Sequence, residues 1–186
     1  MSLRDDAMSV LTAWIAPTAG EESLRAEFLE HLRTHADGML RECVPGHLTA
    51  TTAVLSHDGA RVLLTLHPKA GMWLPMGGHC EASDDTLADV ALREAVEESG
   101  IAGLELLPGP LALDRHRVWC HPPHSWHLDV EYAAVAPAGA EAVISEESLD
   151  LRWFPVEKIP EPSDEATRRL AVRGQAALSS RSRAFG

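Results

Sequence analysis

The chain has 186 residues, of which 45% are hydrophobic and 24% are charged, a composition typical of one soluble folded domain and not of a disordered chain. Its formal charge of -12 repels the phosphate backbone of nucleic acids, so we expect no nucleic-acid partner. Because no apolar stretch is long enough for a membrane span and the three cysteines form no disulfide pattern, we expect no membrane partner and a cytoplasmic location.

The first 45 residues carry the apolar spacing of two helices. Apolar residues recur every three or four positions from Met8 to about Leu40, in two groups that are separated by Pro17 and Gly20. This pattern predicts a helical hairpin, an N-terminal extension (residues 1–45) to a catalytic domain (residues 46–186). The apolar stripe around Trp14 suits packing on its own domain or contact with a second copy, so a homodimer is an open expectation.

Strands and helices alternate after the turn at Pro45–Gly46. Runs rich in β-forming residues predict strands at Leu48 to Ser56, Arg61 to His67, about Leu111 to Cys120, His127 to Ala136, and Leu151 to Phe154. Helical spacing predicts helices from about Asp85 to Ser99 and from about Ser163 to Leu178. This order predicts a mixed α/β fold in which helices cover a sheet.

The helix predicted at residues 85–99 has one apolar face and one acidic edge. The apolar face comprises Leu87, Ala88, Ala91, Leu92, Ala95 and Val96. Glu94, Glu97 and Glu98 gather at the opposite edge, where their spacing lets the carboxylate oxygens converge on one point. Hard divalent cations are held by such oxygens, so the edge predicts a magnesium site. The alternative is a solvated helix whose acids pair only with Arg93.

The residues on either side of this helix suit a loop, helix, loop unit. Gly77 and Gly78 precede it and allow the backbone to come close to a bound ion or phosphate. Asp84 or Asp85 is placed to cap the start of the helix, and Gly100 is placed to end it.

The segment from Gly77 to Ile101 resembles the Nudix hydrolase signature. In that signature a Gly is followed after five residues by a Glu, and after seven more by Arg-Glu-apolar-any-Glu-Glu-any-Gly-apolar. Arg93 to Ile101 matches the second half, with Ala95 in the apolar place. In the first half, Asp85 stands in the acidic place, and six residues separate it from Gly78, so we interpret the loop as lengthened.

The resemblance implies a Nudix-type α/β/α sandwich around a mixed sheet and a Mg²⁺-dependent hydrolase, with Mn²⁺ as an alternative cation. By position, it implies that Glu97 and Glu98 are the principal metal ligands and that Glu94 and the Gly78 carbonyl assist them. Arg93 would orient a glutamate. The implied catalytic set from the helix is therefore Arg93, Glu94 and Glu98.

The resemblance also implies a reaction, the attack of metal-activated water on the diphosphate bond of a nucleoside diphosphate that is linked to another group. Family members take a general base from the helix or from a later loop, where Glu147 is a candidate and an ordinary acidic turn is the alternative. A nucleotide-sensing module on the same fold is the alternative function. Isomerisation of a diphosphate ester would need a protonating Cys and a His-rich metal site, and Cys80 alone does not make that case.

Residues outside the signature are candidates for holding the substrate. Strand alternation puts His127, Asp129 and Glu131 on one face, which lines either the substrate cleft or the solvent side of the sheet. Arg115 can grip a phosphate with two hydrogen bonds. Trp73 can stack on a base, although core packing is the alternative for this residue.

A group of cysteine and histidine residues near the same strand raises the question of zinc. Cys120, His121, His124 and His127 lie close together in the sequence. Their spacing around a stiff Pro-Pro pair matches no structural zinc pattern, so zinc is not expected from this group.

Overall fold

The computed structural model of the chain describes residues 2–118, 125–145 and 148–184. Within these ranges it contains four helices and eight strands: α1 (Leu3–Ala13), α2 (Ala19–Thr34), β1 (His47–Leu55), β2 (Arg61–His67), β3 (Met72–Leu74), β4 (Met76–His79), α3 (Leu87–Ser99), β5 (Glu105–Leu106), β6 (Ala112–Val118), β7 (Ser125–Val135), β8 (Leu151–Pro155) and α4 (Glu165–Ala184). The candidates that lie outside the described residues are Cys120, His121, His124 and Glu147. Over the described ranges, none of the helices is both long and apolar enough to cross a bilayer.

The two N-terminal helices form the predicted hairpin. Both begin at hydroxyl side chains, Ser2 and Thr18, that accept a hydrogen bond from the first turn. The Trp14 indole donates a hydrogen bond to the Pro110 carbonyl at 2.8 Å, so the stripe around it packs within its own chain. One buried cluster joins the hairpin to the sheet and to α3, and its members include Leu11, Phe28, Leu32, Leu48, Ala50, Leu87 and Val90.

β1 is the centre of a mixed sheet that branches along its length. It pairs in parallel with β7 from the His47–His127 pair to the Leu55–Val135 pair. Along its other edge, residues 49–52 pair antiparallel with β4 and residues 54–55 pair antiparallel with β2. β7 carries β5 and β6, and β2 carries β3 and β8. Because β4 and β2 share one edge of β1, the short strand β4 forms a branch of its own beside α3.

Helices cover both faces of this sheet, which confirms the α/β/α arrangement. On one face, Ala50 of β1 packs in the cluster that contains α3 and the hairpin. On the other face, Ala53 and Leu55 pack in a cluster with Leu170 and Ala171 of α4. Burial of both faces explains why β1 reads as a nearly unbroken run of buried residues. Alternate residues of β1 therefore face two different layers of helices, α3 with the hairpin on one side and α4 on the other.

The shortest elements escaped prediction. β3, β4 and β5 have three, four and two residues, too few to show an alternating pattern. The predicted capping residue of α3 was also wrong, because Thr86 and not Asp84 or Asp85 caps the start of the helix. On α3 itself, Ala88 is exposed although the wheel placed it on the packed face, and the buried position is Val90.

Candidate active site

α3 is fixed against β1 and β4 by its ends and by its apolar face. Thr86 accepts a hydrogen bond from the Asp89 N–H, and the Asp89 carboxylate accepts one back from the Thr86 N–H at 2.9 Å, which forms a capping box. Gly100 ends the helix in a left-handed conformation with φ of 66°, as its position predicted. In the middle of the helix, the Thr52 hydroxyl of β1 donates to the Ala91 carbonyl at 2.9 Å. The glutamates of α3 are therefore presented from a rigid support.

Arg93 joins α3 to the preceding loop and to β4. Its guanidinium donates two hydrogen bonds of 3.0 Å to the Asp84 carboxylate and one of 2.8 Å to the His79 carbonyl. It also donates to Glu94 at 2.9 Å and to Glu97 at 3.2 Å. Arg93 therefore holds the loop and orients two of the predicted metal ligands.

Asp84, and not Asp85, is the acid that this loop supplies to the site. Burial alone would raise the pKa of Asp84, but the hydrogen bonds from Arg93 and from the Glu81 N–H outweigh it and hold the pKa below its ordinary value. Asp85 is exposed. Since five residues separate Asp84 from Gly78, the spacing from the glycine is the usual one of the signature. The extra residue lies between Asp84 and Arg93, and the assignment of Asp85 to the acidic place was wrong.

Gly77 and Gly78 of β4 lie directly against the glutamates. The Gly77 N–H donates to the Glu98 carboxylate at 3.2 Å. A Cβ built on Gly78 would lie 2.5 Å from Oε1 of Glu94, closer than a real side chain comes to its neighbours. Residue 78 must therefore be a glycine for the Glu94 carboxylate to sit over the backbone of β4.

The three glutamates do not gather as a compact set by themselves. Among the described residues, no three ligand atoms from Glu94, Glu97 and Glu98 lie within 4.8 Å of one another. Arg93 stands between Glu94 and Glu97, and Glu98 is drawn to the Gly77 backbone. The physical reason is mutual repulsion of carboxylates, which favours separate cationic or N–H partners. The expected convergence is therefore replaced by separate positions, with Glu94 and Glu98 against β4 and Glu97 exposed beside Arg93.

Replacing Arg93 by Ala is expected to destabilise the fold by about 3 kcal/mol, because it leaves the buried Asp84 carboxylate without its charged partner and with only the hydrogen bond from the Glu81 N–H. The side chain of Asp84 is only 4% exposed, so water does not replace the lost partner. Urea denaturation of Arg93→Ala beside wild type measures the loss. Arg33→Ala, which removes an exposed pair with Glu30 on α2, is the control and should cost far less. Equal losses in the two variants would contradict this account.

The face of β7 toward α4 is buried and charged. His127, Asp129 and Glu131 lie on this face as the alternation predicted, but Asp129 and Glu131 are 3% and 2% exposed. The solvent-side alternative is therefore wrong for these two acids. The Thr49 hydroxyl donates to Asp129 at 2.8 Å, and Arg169 of α4 donates to Glu131 at 2.8 Å. Burial, followed by the charge of Asp129, raises the pKa of Glu131 to about 8.

The raised pKa of Glu131 predicts a fold that loses stability as the pH rises. Between the ordinary carboxyl pKa and about 8, the folded state holds a proton on Glu131 that the unfolded state has released. The free energy of unfolding should fall by up to about 1.4 kcal/mol per pH unit in this window. Glu131→Gln should remove this slope and give the more stable protein at pH 8. Urea denaturation at pH 5, 6.5 and 8 measures the slope, and parallel profiles for the two proteins would contradict the prediction.

Two other candidate residues lie away from α3. Arg115 lies on the face of β6 that α2 covers, where it pairs with Glu27 of α2 at 2.6 Å and lies over the Trp126 ring. Trp73 is 9% exposed and packs edge-on against Phe154, with ring centroids 4.8 Å apart. The structure therefore does not bring Arg115 and Trp73 together with Glu98.

The structure contains a histidine cluster that was not predicted from the sequence. His47, His79 and His127 meet on the α4 face of the sheet, with ring centroids 4.9 to 5.1 Å apart. The ring of His116 also contacts His127, and its Nδ1 forms a hydrogen bond with the Asp114 carboxylate at 3.0 Å. Each of the three residues comes from a different strand and they are separated by up to 80 positions, so no local motif marks them. Strand pairing, which the sequence does not reveal, was needed to find the cluster.

Known proteins share both the sequence pattern and the fold. A family model described as NUDIX domain matches residues 46–173. A NUDIX-family hydrolase from Clostridium perfringens has 25% identity and a TM-score of 0.52, over 72% of this chain and 97% of that chain. A MutT NUDIX hydrolase from Burkholderia pseudomallei has 26% identity and a TM-score of 0.50, over 68% and 95%. An Ap4A hydrolase from C. elegans shares the fold at 19% identity with a TM-score of 0.55, over 72% and 98%. No curated protein sequence matches the chain.

Proposed function

The chain belongs to the Nudix family, and from that premise we propose that it hydrolyses the diphosphate bond of a nucleoside diphosphate linked to another group. The observation that carries the proposal is the approach of α3 to β4. There the Glu94 carboxylate occupies the space that a side chain at Gly78 would need, and Glu98 accepts a hydrogen bond from Gly77. In a solvated acidic helix the carboxylates would lie in water. The Glu94 and Glu98 carboxylates instead lie against the two glycines of β4.

The donor set fits a hard divalent cation. Carboxylate and peptide oxygens are the ligands that Mg²⁺ prefers, and β4 and α3 offer both kinds side by side. We assign Glu97 and Glu98 as the principal ligands, with Glu94 and the Gly78 carbonyl assisting, and Mn²⁺ as a cation of similar preference. When bound, the cation supplies charge neutralisation of the diphosphate and a more acidic coordinated water.

The chain's own contribution is position and charge. Arg93 donates hydrogen bonds to the Glu94 and Glu97 carboxylates. Its further hydrogen bonds to Asp84 and to the His79 carbonyl fix the position of the guanidinium. The Gly77 N–H fixes the Glu98 carboxylate next to the backbone. Glu147 of the later loop stays the predicted general base, and it lies outside the described residues.

The test is phosphate or nucleotide release from a panel with Mg²⁺, with a chelator arm. The panel contains oxidised nucleoside triphosphates, nucleotide sugars, ADP-ribose and dinucleoside polyphosphates. Turnover that stops on chelation and returns with Mg²⁺ supports the hydrolase. If no compound is cleaved but one of them raises the melting temperature, the sensing module is the better account.

Isomerisation of a diphosphate ester finds no support at Cys80, even though a histidine cluster is present. Cys80 is 8% exposed and its thiol donates to the Leu48 carbonyl at 3.6 Å, within the cluster that faces α3. Burial raises the pKa of this thiol to about 12. Since Cys80 and His79 are consecutive in an extended segment, their side chains point to opposite faces. The thiol and the histidines do not serve one site.

A further inference from the structure

Three imidazoles converge at one point on the α4 face of the sheet. His47 and His127 are direct partners in the parallel pairing of β1 with β7, and His79 of β4 lies beside them opposite Thr49. The ring centroids form a nearly equilateral triangle with sides of 4.9, 5.0 and 5.1 Å. One nitrogen from each ring lies within 4.8 Å of the other two. Among the described residues, this is the one set of three such ligand atoms.

We propose that His47, His79 and His127 bind a transition-metal dication, with zinc as the expected occupant, at a second metal site separate from the glutamates of α3. Imidazole nitrogen is a preferred ligand of Zn²⁺, and three such ligands leave a fourth position for water or another oxygen donor. Around zinc, the three nitrogens would stand about 3.3 Å apart.

Two carboxylates lie near the triangle, together with the positive charge of Arg41. Asp129 lies two residues after His127 on the same face, and the Thr49 hydroxyl orients its carboxylate with a 2.8 Å hydrogen bond. Asp114 binds His116, whose ring contacts His127. Carboxylates next to imidazoles are the usual second layer of a metal site, because they orient the rings and offset the charge of the ion.

The burial of the triangle agrees with this assignment, because a metal ion binds the neutral form of imidazole and burial favours that form. His47 is fully buried, whereas His79 and His127 are partly exposed, so the fourth position faces the open side of the triangle.

This site is separate from the site on α3 because of strand geometry. Gly78 and His79 are consecutive in β4, so the glycine faces Glu94 while the imidazole faces the opposite side. The donors also differ in kind, carboxylates for a hard ion on one side and imidazoles for a softer ion on the other. The inference rests on the three histidines and does not depend on the proposed hydrolysis.

Cobalt(II) is the probe, because its visible absorption is strong with nitrogen ligands in a tetrahedral site and weak with six oxygens. Protein stripped of metal is titrated with Co²⁺ in excess Mg²⁺, which occupies the carboxylates of α3. Wild type should bind one equivalent with strong absorption, and Zn²⁺ should displace it. His79→Gln and His127→Gln should each lose this binding. His57→Gln, in an exposed turn, is the matched control and should bind as wild type does.

The outcomes separate the two metal sites. Glu98→Gln should keep the cobalt absorption. If the protein proves to have no hydrolase activity, the cobalt measurement still tests the histidine site. The proposal is overturned if wild type binds no Co²⁺ in excess Mg²⁺, or if both histidine variants keep the absorption. If a histidine variant does not fold, X-ray absorption of the wild-type cobalt protein decides the question, because imidazole ligands support the proposal and oxygen ligands alone overturn it.

Discussion

Replacing Glu98 by Gln is expected to lower the turnover number about a thousandfold and to leave the fold intact. Gln keeps the length and shape of the side chain, and its amide oxygen still accepts the hydrogen bond from the Gly77 N–H. What it loses is the negative charge that a divalent cation needs beside the diphosphate. The melting temperature should therefore stay close to that of wild type while turnover collapses.

The measurement is steady-state kinetics on whichever compound of the panel is cleaved, with the Mg²⁺ concentration varied. The apparent Mg²⁺ requirement of Glu98→Gln should rise together with the loss of turnover, because the charge that binds the cation is gone. Glu157→Gln, an exposed acid after β8, is the matched control and should behave as wild type does. Near-normal turnover in Glu98→Gln would mean that the carboxylates of α3 do not hold the catalytic cation.

Features set by neighbouring residues were predictable from the sequence. The hairpin of α1 and α2 follows from helical spacing interrupted at Pro17, and strand β2 was predicted over its full length. The end of α3 at Gly100 was predictable because a helix that ends in a left-handed residue favours glycine. In each case the cause lies within a few positions of the effect, which is what a single sequence displays.

Features set by contacts between distant residues were not predictable. The choice between Asp84 and Asp85 depends on which carboxylate reaches the guanidinium of Arg93 across the loop. The burial of Glu131 depends on α4, whose Arg169 covers it from a later part of the chain. The histidine triangle depends on the register of three strands. In the sequence alone, such residues look the same as those of a solvated strand.

Gly78→Ala should separate the role of β4 in activity from its role in the fold. The new Cβ would lie 2.5 to 2.6 Å from the carboxylate atoms of Glu94. This carboxylate is the far end of a flexible side chain, so it moves aside at little cost to the fold. A displacement of about 1 Å at a catalytic group lowers activity about a hundredfold, and we expect that loss here with an almost unchanged melting temperature.

Gly77→Ala is the matched comparison, and it should lower the stability of the fold. Its Cβ would lie 2.5 Å from the Thr51 hydroxyl, 2.8 Å from the Ala50 carbonyl oxygen and 2.9 Å from the Thr51 Cα. Two of these atoms belong to the backbone of the central strand β1, which cannot move without disturbing the sheet. Overpacking of this kind costs about 1–3 kcal/mol, so the melting temperature should fall.

The pair of glycine variants therefore tests the arrangement of α3 over β4. Thermal unfolding and turnover, measured on both proteins, should give a stable but weakly active Gly78→Ala and a destabilised Gly77→Ala. If Gly78→Ala keeps full activity, the position of Glu94 over β4 does not matter for the reaction. If both variants are destabilised alike, the Glu94 carboxylate is held too rigidly to move, and its network with Arg93 stabilises the fold as well as the site.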